Sequence, residues 1–318
     1  MIFGIYAGSI AGTETGMATG KQDDPVSISE ALSQLHNKDK VFLVRGYIQY
    51  LGGGRLDHEA PMNVEQYVAQ NRKLNLVICY RARSFDEKDW SETIRKVITR
   101  YRDSLYSIQI TEEPNLKVAF AGDGCFENIE EALRTGIIAA RKEIKSLRLP
   151  VRIGFNAVPS FNPADNFWNV IGSSEFGEFR EAIDYVGLDF YPDVFRPVAA
   201  DGEPNDLKQS VKNVLGYFRN VNLKTGNIPL SIPIHITENG WPTGEGKTYK
   251  RQANVIEKVI RTIYEIKNEL NIQEYDLFGL RDADSSNADI FYQFGLLKDD
   301  YSPKPAFHIY RKLINELS

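Results

Sequence analysis

A chain of 318 residues, 42% hydrophobic and 25% charged, has the make-up of an ordinary globular protein and can bury a large core without disulfide staples. Its 38 basic and 43 acidic residues leave a net charge of −5 with no long run of one sign, which argues against nucleic acid as the main partner. No stretch approaches the ~18 apolar residues of a membrane span, so no membrane is expected, and Cys79 and Cys125 form neither a disulfide framework nor a Cys-x-x-Cys pair and read as small core residues.

In chain order, the first element is the apolar stretch Ile2–Tyr6. No basic start, apolar run and small-residue cleavage site precede it, so the expected location is cytoplasmic. Seven more such stretches follow: Val41–Arg45, Leu74–Tyr80, Tyr106–Ile110, Val151–Asn156, Tyr185–Phe190, Ile232–Ile236 and Tyr275–Leu280. Most read as continuous rather than alternating, the pattern of parallel strands buried on both faces. Helical stripes lie between them. Ser27-Ile28-Ser29-Glu30 reads as a capping box opening a helix with Ile28, Ala31, Leu32 and Leu35 inward. Further stripes run through Trp90–Tyr101, Ile129–Ile137, Val211–Phe218, Ile256–Ile263 and Phe307–Ile314. Gly12–Lys21 fails the phosphate-loop spacing at Thr15 and Gln22, and Gly52-Gly53-Gly54 opens no helix, so both read as flexible loops rather than nucleotide turns. Eight strands alternating with helices predict a single (β/α)8 barrel domain over residues 1–318.

In such a barrel the active site lies at the carboxyl ends of the strands. There the sequence places Arg45 after strand 2, Glu112-Glu113-Pro114 after strand 4 and Asn156 after strand 5. Asp189-Phe190-Tyr191 follows strand 6, Thr237-Glu238-Asn239-Gly240-Trp241 follows strand 7, and Arg281-Asp282 follows strand 8. Two carboxyls on strands 4 and 7 suit glycoside cleavage, which needs one acid to protonate the leaving oxygen and one carboxylate to attack the anomeric carbon. Tyr191 and Trp241 offer flat faces to a sugar, and Arg45, Asn156 and Asp282 offer hydrogen bonds. His235 reads as a satisfied core histidine. No pair has metal-ligand spacing, so neither metal nor other cofactor is expected.

These motifs resemble clan A of the glycoside hydrolases over essentially the whole chain. The strongest piece is Ile236-Thr-Glu-Asn-Gly-Trp241, similar to the clan's nucleophile motif after strand 7. Phe294-Gly-Leu-Leu and Ser302-Pro-Lys-Pro-Ala-Phe307 resemble the clan's ending, in which the last helix begins at the Pro-Ala step. The resemblance implies a retaining β-glycosidase with Glu238 as nucleophile and Glu113 as acid/base. It matches Arg45 to the clan's arginine and places Tyr191 where a tyrosine often touches the nucleophile. It also implies a glycoside or oligosaccharide partner; the oligomeric state is left open. Two departures stand out. Glu112 replaces the asparagine that contacts the sugar 2-hydroxyl, so Glu112 becomes a candidate substrate contact. Arg281-Asp282 stands where many members carry a tryptophan, which implies a more polar floor. The rival reading, favoured by Glu112, is a carbohydrate-binding barrel without turnover.

Overall fold

The computed structural model describes residues 1–195 and 205–318. Eight parallel strands form the barrel: β1 (Ile2–Tyr6), β2 (Phe42–Tyr50), β3 (Arg72–Tyr80), β4 (Leu105–Ile110), β5 (Arg152–Ala157), β6 (Tyr185–Asp189), β7 (Ile234–Asn239) and β8 (Ile272–Leu277). From β2 each pairs with the next in chain order, and β1 pairs with both β2 and β8, which closes the ring. The predicted (β/α)8 barrel is the observed fold.

Helices wrap the ring: α1 (Pro25–Leu35), α2 (Glu87–Tyr101), α3 (Ile129–Leu147), α4 (Phe167–Gly172), α5 (Gly177–Ala182), α6 (Asn205–Tyr217), α7 (Tyr249–Ile266) and α8 (Pro305–Leu317). No helix follows β2. That strand outruns β1, which pairs only with Phe42–Arg45. The upper part of β2 is instead covered by an antiparallel return strand, Leu56–Ala60, and a short helical turn, Val64–Tyr67.

Several expectations are corrected. The strands alternate rather than running apolar on both faces. Phe3, Ile5, Val44, Leu76, Ile108, Phe155, Leu188, Ile236 and Leu277 belong to the buried apolar cluster that includes the helix faces. Their neighbours Asn75, Gln109, Asn156, Asp189, His235, Thr237, Glu274 and Asp276 are buried and polar. Asn75 on β3 donates to Glu274 and Asp276 on β8, at 2.9 and 2.6 Å, so this second face bonds across the barrel. Small residues make the room: a Cβ on Gly4 would lie 1.8 Å from Asp276 Oδ1, and one on Gly187 2.5 Å from Thr237 Oγ1. Helix α1 begins at Pro25, not at the Ser27 box; Asp24 caps it, accepting from the Val26 N–H at 3.1 Å. Gly52-Gly53-Gly54 is a defined hairpin turn with φ of 88°, 62° and 68°, and Ala11–Gly12 pairs with Met17–Ala18. Cys79 is buried, but Cys125 is exposed.

Candidate active site

The barrel mouth is built from the ends of β2, β4, β5, β6, β7 and β8. After β4 the backbone turns sharply. Thr111 and Glu113 both adopt positive φ, 65° and 43°, on either side of Glu112. A β-branched residue there is strained by on the order of 1–3 kcal/mol, so the surroundings must hold it. Asp123 does so. Its Oδ2 accepts the N–H of Tyr80 at 2.7 Å and of Glu112 at 2.8 Å, and Arg81 pairs with it at 3.0 Å. Burial raises Asp123 to about 6, against the pull of Arg81.

Glu112 points into the barrel. Its Oε2 accepts from Gln109 at 2.7 Å and from Arg45 at a long 3.4 Å, and its Oε1 accepts from Asn156 at 3.2 Å. Asn156 also donates to Asp189, and its Oδ1 accepts the backbone N–H of Glu113 at 2.7 Å. Asp189 accepts from Thr237 at 2.5 Å. Glu238, within β7, accepts from two phenols: Tyr47 on Oε1 and Tyr191, at 2.6 Å, on Oε2. Tyr47 in turn accepts from Arg45 Nε at 2.6 Å. Burial, then nearby charge, raises Tyr47 and Tyr191 well above the ordinary phenol range, so both stay donors. Two O–H donors suit an ionised carboxylate, which only accepts.

Glu113, Glu112 and Asp189 are pushed toward the protonated form. Burial, then Glu112 and Glu238, raise Glu113 well above the ordinary carboxyl range. Burial and then Glu238 raise Glu112 to about 8, while Arg45 pulls it down. Asp189 rises well above its usual range by burial and then by Glu238. Glu113 accepts no side-chain hydrogen bond among the described residues, although it is 8% exposed. Oxygens of Glu112, Asp189 and Glu238 all lie within 4.8 Å of one another, a spacing at which they could hold a cation.

An aromatic wall flanks these acids. Phe278, just past β8, stacks on Tyr6 at 4.9 Å and meets Tyr191 and Phe294 edge-on at 6.4 and 5.7 Å. Phe278 is half-buried, so a ring lies where a polar floor was predicted. Arg281 is buried instead against Asp23 at 2.8 Å and the carbonyl of Lys21 at 2.7 Å.

Arg45, Glu112, Asn156, Tyr191 and Glu238 thus form one connected network, and Glu113 joins it through its backbone. Two predicted sugar contacts do not. Trp241 is 1% exposed, its Nε1 donates to the Asp193 carbonyl at 3.1 Å, and Lys247 sits 4.3 Å over its ring. Asp282 is locked in a buried pair with Lys304 at 2.7 Å and accepts from the Gly295 N–H and the Ser285 hydroxyl. Both hold loops rather than facing the mouth. His235 is buried and stacked on Tyr185 at 4.2 Å, and burial lowers its pKa well below the ordinary imidazole range, but it is not the satisfied histidine expected: neither ring nitrogen makes a hydrogen bond, Nδ1 lying 3.3 Å from Glu274. The sequence reading passed over Tyr47, Gln109, Asp189 and Phe278. Tyr47 could have been found, because two residues beyond Arg45 on a strand means the same face.

No protein-family model and no curated protein sequence matches the chain. Solved structures do. A family 39 glycoside hydrolase from Bacteroides cellulosilyticus WH2 superposes with a TM-score of 0.65 at 13% identity, over 98% of this chain and 63% of that one. The fold is the one the glycoside hydrolases use. A β-glucuronidase from Faecalibacterium prausnitzii gives 0.61 at 12% identity, over 100% of this chain and 48% of that one. A family 1 β-glucosidase from Thermotoga maritima gives 0.56 at 14% identity, over 91% and 85%. The chain therefore spans about two thirds of the first of these proteins and half of the second. Among the described residues no helix is long and apolar enough to cross a membrane.

Proposed function

We propose that the chain is a retaining β-glycoside hydrolase, with Glu238 as nucleophile and Glu113 as acid/base. The observation that carries this reading is the contrast between the two carboxyls. Glu238 is gripped on both oxygens by phenol donors, while Glu113 accepts from no side chain among the described residues and is held protonated by burial and its acidic neighbours. One carboxyl that accepts on both oxygens and a second held protonated are the roles that glycoside cleavage asks of its acids. Glu238 attacks the anomeric carbon as Glu113 passes its proton to the leaving oxygen. Glu113, now a base, then takes a proton from water, which releases the sugar from Glu238. Tyr191 and Phe278, both half-buried, offer apolar faces against which the sugar ring rests, with Tyr6 and Phe294 packed behind Phe278.

The test uses two kinds of leaving group. Glu113→Gln is expected to slow hydrolysis of alkyl β-glycosides by roughly 10²–10⁴-fold. Read as kcat/KM, which reports the first step alone, the loss should be far smaller for dinitrophenyl glycosides, whose leaving group needs no proton. Proton NMR of the first product should show the β-anomer. Equal losses on both substrates would remove Glu113 from the acid role, and an α-anomer would make the mechanism inverting. Sugar binding without hydrolysis of any glycoside would favour the non-catalytic barrel.

A further inference from the structure

We propose that the substrate carries an apolar alkyl or aryl aglycone, held by an aromatic rim built from the loops after β6 and β8; this rests on the assignment of Glu238 and Glu113 above. Phe195, after β6, is 56% exposed, more than any other phenylalanine among the described residues. It stacks on the half-buried Phe291, from the loop after β8, at 5.8 Å. It also meets Tyr191 edge-on at 5.9 Å, and Tyr191 donates to Glu238. Phe291 packs on Phe294 at 6.3 Å, and Phe294 packs in turn on Tyr191 and Phe278. A single exposed ring needs no explanation. A connected row of rings that runs from the candidate nucleophile to the outer edge of the mouth marks a place for an apolar group.

The order of the strands says which end of the substrate reaches this rim. The scissile bond lies between Glu238, on β7, and Glu113, after β4. β6 stands on the shorter arc of the ring between those two strands, so Phe195 borders the side on which the leaving group sits. The sugar itself rests further in, on Phe278. A second sugar beside Phe195 would ask for donors and acceptors as well as a flat face. Phe195 and Phe291 have neither to give, and the Tyr191 hydroxyl is committed to Glu238. Rings without polar atoms gain most from covering a chain or ring that is also without them.

Calorimetric titration of the whole chain with non-hydrolysable thio-β-glycosides, kept below their micellar concentration, tests this. Methyl and octyl members are paired in gluco, galacto and manno configurations. In at least one pair the octyl glycoside is expected to bind roughly 10–100-fold more tightly: a fully buried methylene is worth roughly fourfold, and a chain on an open wall buries only part of itself. The gain should shrink in Phe195→Ala and in Phe291→Ala, with thermal melting to confirm that both variants are folded. Equal binding within every pair, no binding by any octyl glycoside, or a gain that both folded variants keep in full would overturn the proposal. So would an equal gain from an octyl group on the sugar's 6-oxygen, which puts the apolar group at the other end of the substrate. Equally tight binding of octyl tetraethylene glycol, which carries the chain without a sugar, would overturn it too. The wild-type titrations decide even if a variant fails to fold. Hydrolysis of methyl glycosides with no octyl preference in binding would remove this inference and leave the hydrolase standing. An octyl preference without turnover of the matching oxygen glycoside would do the reverse.

Discussion

Tyr47 does two jobs with one oxygen. It accepts from Arg45 Nε and donates to Glu238, so the arginine reaches the glutamate through a phenol. Tyr191 makes only the second kind of contact. The two tyrosines therefore separate rate from stability. Tyr47→Phe and Tyr191→Phe should each lower kcat/KM by roughly tenfold or more, since each removes a hydrogen bond to a charged group. Only Tyr47→Phe also strands a buried guanidinium N–H, at a cost of about 1–3 kcal/mol. Its melting temperature should fall further than that of Tyr191→Phe. Matching melting temperatures would mean that Arg45 finds another partner. Glu112 gathers several donors. It accepts from Arg45, Gln109 and Asn156, while Glu238 accepts from the two tyrosines.

At the scale of elements, the loop after β4 is held by Asp123, which ties it to the end of β3. Asp123→Ala would orphan two backbone N–H groups and leave Arg81 without its carboxylate. Breaking a buried pair this way costs about 3–5 kcal/mol, so denaturant unfolding should show a loss of that size. A loss below about 1 kcal/mol would mean that the strained turn at Thr111 and Glu113 supports itself. The strands themselves were legible because their outward residues are Ile, Val, Leu and Phe packed on helices. Their inward partners were less so. Gln109 and His235 fall inside the predicted stretches and Thr237 and Glu274 just outside them, because a polar residue whose surroundings lie inside the barrel carries no local sign that it is buried. For the same reason β2 was ended at Arg45 and β7 at Ile236, five and three residues early, and Tyr47 was given no role. At β8 the error ran the other way. The apolar run continues past Leu277 into Phe278-Gly279-Leu280, so the ring that reaches the mouth was counted as strand. Glu113 and Glu238 were found because local motifs mark them. Asp189 acquires its role from Thr237 and Asn156, both far away in sequence, and no local pattern carries that.

For the whole molecule, an acid-rich barrel interior sets the response to pH. Burial raises Asp123 to about 6, Asp276 to about 7 and Glu112 to about 8. A carboxyl whose folded pKa lies above its unfolded one holds its proton more tightly in the fold. Its contribution is whole below the ordinary carboxylate range and is lost as pH rises through the folded value. Surface acids run opposite. Lys208 and Lys212 lower Glu265, and Arg261 lowers Glu316, so their contributions are lost as pH falls through those depressed values. Melting temperature should therefore peak between about pH 4.5 and 6 and decline from 6 to 8. Asp276→Asn should flatten that decline near neutrality. A melting temperature that rises through this window would contradict the buried assignments.

The return strand Leu56–Ala60 has a consequence for how separate molecules meet. Every barrel strand has a neighbour on both sides, whereas this one is paired only with β2 among the described residues. A half-paired strand is a template for strand addition by another chain, the first step of aggregation. Here Asp57, His58 and Glu59 fill its centre, and His58 takes a φ of 50° that breaks the extended run. An incoming strand meets charge and a kink where it would need a flat ladder, so this open edge is guarded against self-association by its own side chains.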